Sequence, residues 1–153
     1  MADDGVLDEG TETAALRDVL AAEHAAVWGY GTVGAALPPE SRASAVAAEI
    51  AHRDVRDRLV ALLDARGAEP VPREAGYTLP FPVLSPVDAA TLAVVLEEGV
   101  SAAWAGLLDR AVEPAVRELA VGELGAAEVR AVGWRRAAGR IPVTDAFPGL
   151  PEG

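Results

Sequence analysis

At positions 49–52 the chain reads Glu-Ile-Ala-His. In an α-helix, residues three apart project from one face, so this carboxylate and imidazole can grip a single metal ion together. Joined by buried Glu residues from neighbouring helices, such a pair builds a carboxylate-bridged di-metal site inside a helical bundle. The metal-ligating candidates are Glu23, Glu49, His52, Glu97 and Glu128. Whether they meet depends on the helices that carry them.

Leu16, Leu20, Glu23, Val27, Tyr30, Gly34 and Leu37 recur at alternating spacings of four and three, the seam of a bundle helix capped by Thr13 and running to about Ala36. Glu23 lies within that seam, where a carboxylate needs a proton, a counter-charge or a metal. Pro38 and Pro39 end this helix, Ser41 is the expected cap of the next, and Gly67 is its left-handed stop. Ala45, Ala48, His52, Val55, Leu59 and Leu62 form the second seam. Folding the hairpin about residues 38 and 39 brings His52 near the level of Glu23, so Glu23, Glu49 and His52 are expected to converge.

Residues 68–85 carry Pro70, Pro72, Pro80 and Pro82 without helical periodicity. Such a segment is extended and long enough to run the ~40 Å length of a helix, as a bundle with one long crossover requires. Ser85-Pro86-Val87-Asp88 starts a third helix reaching about Ala111. Its stripe of Leu92, Leu96, Val100, Ala103 and Leu107 puts Glu97 on the inner shoulder and Glu98 nearly opposite. Pro114 opens a fourth helix ending before Gly139, with Val116, Ala120, Leu124, Ala127, Ala131 and Trp134 facing inward. There Glu128 falls level with Glu97, while Glu123 is the alternative inward acid about 6 Å away. The expected architecture is all-α: a four-helix bundle over residues 13–139, an acidic disordered tail at 1–12, and an extended tail at 140–153.

Composition narrows the function classes. A net charge of −11 opposes phosphate-backbone binding, so nucleic acid is not an expected partner. No apolar run reaches the ~18 residues of a membrane span and the amino terminus is acidic, so a cytoplasmic chain with no membrane partner is expected. The lack of cysteine removes thiolate sites and disulfides, and no nucleophile elbow or phosphate loop occurs. His24 points about 100° from the seam and is expected at the surface or an interface, while Trp28, Trp104, Trp134, Tyr30 and Tyr77 are expected to pack. The helical glycines are expected to mark close helix approach.

Residues 21–31 (AAEHAAVWGYG), His52-Arg53-Asp54, Tyr77-Thr78-Leu79-Pro80, Leu96-Glu97-Glu98, residues 126–135 and residues 146–151 (AFPGLP), in this order, resemble the ferritin-like superfamily. The closer likeness is to a bacterial family of small ferritin-like domains of unknown role. The resemblance implies a Glu from the first helix, Glu-x-x-His from the second, a Glu from the third and a second Glu-x-x-His from the fourth. Glu23, Glu49 with His52, and Glu97 match the first three positions; three residues after Glu128 stands Ala131, and after Glu123 stands Ala126, so the fourth departs.

Two readings follow. In one, the cluster is a buried polar network without metal, with Arg53 or Arg130 supplying charge and the chain acting as a non-catalytic binding or structural module, self-association included. In the other, Glu23, Glu49, His52 and Glu97, with Glu128, hold iron or manganese for metal oxidation or peroxide and oxygen handling. An Arg130 guanidinium between the carboxylates and His52 decides for the first.

Overall fold

Asp8 opens the first helix. The structure, a computed structural model, describes residues 8–151. In it the Asp8 carboxylate accepts from the Thr11 amide at 2.6 Å, and Glu9 and Glu12 place negative charge in a first turn that favours it. Helix α1 therefore spans Glu9–Ala36 and begins before the expected Thr13 cap. Of the expected acidic tail, residues 9–12 are helical and residues 1–7 lie outside the described residues.

A 3-10 turn at Pro39–Ser41 leads into α2, Arg42–Ala65. Ser41 makes no side-chain capping bond, contrary to expectation, because this turn carries the chain into the helix. Gly67 takes the left-handed stop at φ 65°. Helix α3 covers Pro86–Arg110 and α4 covers Pro114–Ala137. Ser85 accepts from the Asp88 amide at 3.1 Å, and Asp88 reaches back to the Leu84 amide at 3.0 Å, closing the start of α3.

The described residues form an all-helical bundle without strands. Helix α1 packs on α2 and α3, and α3 packs on α4, so the order around the bundle is α2, α1, α3, α4. Residues 66–85 return the chain from the end of α2 to the end where α2 began, which leaves α2 and α3 parallel on a diagonal. His24 Nε2 lies 3.0 Å from the Val71 carbonyl, Trp28 packs on Tyr77 with ring centroids 5.5 Å apart, and Leu79, Phe81 and Val83 cover the core. This long link is thus bound along the bundle by side chains rather than by secondary structure.

Helix α3 is long and apolar enough to cross a membrane by length and composition. Here Leu92, Val100, Trp104 and Leu107 are buried within the bundle, which explains that composition. On α2 the last inward position falls to Leu63 rather than Leu62. Among the helical glycines, Gly29 alone forces a close approach, since a Cβ there would lie 2.7 Å from Leu96 Cδ1. Gly31, Gly99, Gly122, Gly125 and Gly133 face space in which an added Cβ meets nothing within 4 Å.

Candidate functional site

Two apolar layers fill the ends of the bundle: Leu16, Leu20, Leu59 and Leu107 belong to one, Val33, Leu37, Leu92 and Val94 to the other. Between them each helix contributes one charged side chain: Glu23, His52, Glu97 and Arg130. Glu23, His52 and Glu97 are fully buried, and Arg130 retains about a fifth of its exposure.

His52 is the hub. Its Nδ1 lies 2.6 Å from Glu23 Oε2, and its Nε2 lies 3.2 Å from Glu97 Oε1. Arg130 Nε donates to Glu97 Oε1 at 2.9 Å, and the Tyr30 hydroxyl donates to the same oxygen. The Trp104 indole N–H donates to Glu23 Oε1 at 3.3 Å. A carboxylate only accepts, so a ring nitrogen facing each of two carboxylates carries a proton on each, and His52 is an imidazolium. Two anions then face two cations, and of the four only Arg130 reaches the surface.

The titration behaviour follows from this arrangement. Burial opposes charge on His52, but the hydrogen bonds and charges of Glu23 and Glu97 outweigh it and push the imidazole up to about 9. Burial likewise opposes charge on Glu97, yet His52 and Arg130 hold its carboxyl below the usual value. Burial and the Glu97 charge raise the Tyr30 phenol far above its ordinary range, so it stays a donor.

The residues as arranged do not fit a metal ion. An imidazole binds metal through an unprotonated nitrogen, and both nitrogens of His52 face carboxylates. Both oxygens of Glu23 accept hydrogen bonds, and three donors converge on Glu97 Oε1. Glu97 Oε2 is the one carboxylate oxygen of the cluster that is buried without a partner among the described residues, and one oxygen is too few for a coordination shell. No group of three or more His, Asp or Glu side chains among the described residues is arranged to hold a metal.

Of the five metal candidates, the fold brings three together. Glu49 was expected to converge with Glu23 and His52, but it turns outward and pairs with Arg53 one turn along α2, leaving its side chain 24% exposed. The i, i+3 spacing fixes a common side of the helix, whereas the burial angle decides which of the two reaches the core, and here His52 takes it. Glu128 was expected to face Glu97, but its Oε1 lies 2.7 Å from Arg135 Nη1 and accepts from the Asp145 amide at 3.2 Å. It anchors the carboxy-terminal segment. Glu123, the alternative, pairs with Arg58 at 3.0 Å, and Arg130 holds the fourth helix's place in the cluster.

Tyr30 and Trp104 were expected only to pack, yet each also donates into the cluster. Tyr30 stands seven residues after Glu23 and Trp104 seven after Glu97, so their helical register was legible while their polar role was not. Sequence reasoning also missed the fully buried Glu12. Its Oε1 meets Arg66 Nη2 at 2.6 Å, and its Oε2 accepts from the Val112 and Glu113 amides at 2.6 and 2.8 Å. Glu12 thus ties the start of α1 to the end of α2 and to the α3–α4 turn.

Fold and site together define a four-helix bundle with a buried ionic centre that reaches the surface through Arg130. The chain belongs to the family described as Domain of unknown function (DUF4439), whose model matches residues 15–152. It is similar to the crystal structure of a conserved hypothetical protein, rv2844, from Mycobacterium tuberculosis. The two share 38% identity over 84% of this chain and 98% of that one, with a TM-score of 0.82. No curated protein matches the chain.

Proposed function

We propose that this is a non-catalytic bundle of the ferritin-like type that works as a binding module, with its centre a metal-free ionic network. The observation that carries the reading is the Arg130 guanidinium bonded to Glu97 at 2.9 Å while His52 faces Glu23 and Glu97 with its two nitrogens. Arg130 supplies on α4 the positive charge that a metal would otherwise bring to the carboxylates, and it cannot be titrated away at physiological pH. Acid–base chemistry is served poorly by this centre, because its hub is shielded from water and held charged by two partners. The same features serve rigidity, fixing the register of four helices at one level. A cytoplasmic setting and partners other than nucleic acid or membrane belong to this proposal, as does a homo-oligomer.

Elemental analysis tests it. Protein purified from iron- and manganese-supplemented medium is expected to carry less than about 0.1 metal per chain and to take up none on anaerobic reconstitution. Tight stoichiometric iron or manganese that is lost in Glu97→Gln would replace this reading with the metal-binding one.

A further inference from the structure

The seam between α2 and α4 is the open side of the bundle, since these two neighbours do not pack closely as the other adjacent pairs do. Along the half of this seam beside the start of α2 and the end of α4 runs a groove of about 600 Å³. Small side chains line it, with Ala48 on α2, Ala90 on α3 and Gly133 on α4, beside Trp134, and the hydroxyls of Ser41 and Ser44 join the lining near the start of α2. Its charged residues stand apart along the helices: Arg130 lies level with the ionic centre, where it bonds Glu97, and Glu40 lies in the turn before α2, at the end of the bundle. Arg130 uses Nε for Glu97, and its two Nη groups hold no partner among the described residues. A trough with a fixed cation at the end nearest the ionic centre, small side chains along its length and an anion at the far end selects a ligand with a negative head and an apolar tail, its head at Arg130.

We propose that this groove binds a medium-chain carboxylate, its head on the Nη edge of Arg130 and its chain along Ala48, Ala90 and Gly133. From Arg130 to Ala137 the trough covers about seven residues of helix, roughly 10 Å. An extended chain advances about 1.3 Å per C–C bond of ~1.5 Å, so a ligand of about eight to ten carbons fills it. The proposal rests on the reading above in one respect, that Arg130 rather than a metal holds the cationic place.

The test is calorimetric titration of the full chain with hexanoate, octanoate, decanoate, decanol and decyltrimethylammonium, all below their micellar concentrations. Affinity is expected to rise about tenfold from hexanoate to octanoate, as two buried methylenes predict, and to level off beyond decanoate. Decanoate is expected to bind about tenfold more tightly than decanol, with no binding of the cationic amphiphile. Gly133→Leu directs its side chain into the trough from a position where a Cβ meets nothing within 4 Å. It should weaken decanoate binding at least tenfold while leaving the melting temperature unchanged or higher. Arg130→Gln should abolish the preference for decanoate over decanol. Equal binding of acid and alcohol by the parent chain, or undiminished decanoate binding by Gly133→Leu, overturns the proposal. So does a dimer that Gly133→Leu dissociates in a chain that ignores decanoate, because a second copy would then occupy the groove. Decanoate binding by a chain found to contain stoichiometric metal would support the groove and sink the metal-free reading, so the two fail separately.

Discussion

His52 sits between two carboxylates, and removing it leaves Glu23 and Glu97 buried with Arg130 as their remaining cation. His52→Leu is therefore expected to cost about 3–5 kcal/mol in urea unfolding, the usual penalty for breaking a buried ion pair from one side. Replacing Glu23, His52, Glu97 and Arg130 together by Leu or Met of similar volume should be near neutral or stabilising, because no uncompensated charge remains. If the fourfold variant is as unstable as the single one, the network does more than balance charge. Glu23, His52 and Glu97 were legible because charged residues at seam positions demand partners. Glu49 and Glu128 were not separable from them by sequence: a shoulder acid can turn inward to the core or outward to a nearby arginine, and Arg53 and Arg135 draw these two out.

The helices and the links between them depend on contacts that glycine permits. Gly149, at φ 80°, lies against α3 so closely that a Cβ would sit 2.4 Å from the Ser101 carbonyl oxygen. Gly149→Ala is expected to detach the carboxy-terminal segment, read as faster proteolysis after residue 139 with little change in global melting. At Gly29 an added Cβ overpacks Leu96, so Gly29→Ala should destabilise by about 1–3 kcal/mol. Gly122→Ala and Gly125→Ala, facing open space, should each stabilise by about 0.5–1 kcal/mol. Sequence alone treats these glycines alike, because helix propensity is local and the neighbour across the interface is not. The four helices, both hairpins and the crossover were legible from apolar period, prolines and glycine stops. The start of α1 was missed because the acids that read as a solvated tail include a cap, Asp8, and a buried tie, Glu12.

For the molecule as a whole, the central network sets how stability varies with pH. The folded His52 pKa of about 9 stands above its ordinary 6.5, so its contribution is complete below pH ~6.5 and is lost as pH rises through 9. Glu97, held below its ordinary value, contributes fully above that value and loses its contribution as pH falls through its folded pKa. Stability from this centre is therefore expected to peak between about pH 5 and 6.5 and to decline toward pH 9, and His52→Gln should flatten the alkaline side in thermal melts. The most direct test of the metal-free imidazolium centre is nitrogen-15 NMR of the two histidines, with His24→Gln to assign them. Both ring nitrogens of His52 are predicted to be protonated at neutral pH, to titrate near 9, and to be unaffected by equimolar manganese. A neutral imidazole at pH 7, or selective broadening of His52 by manganese, would contradict the account.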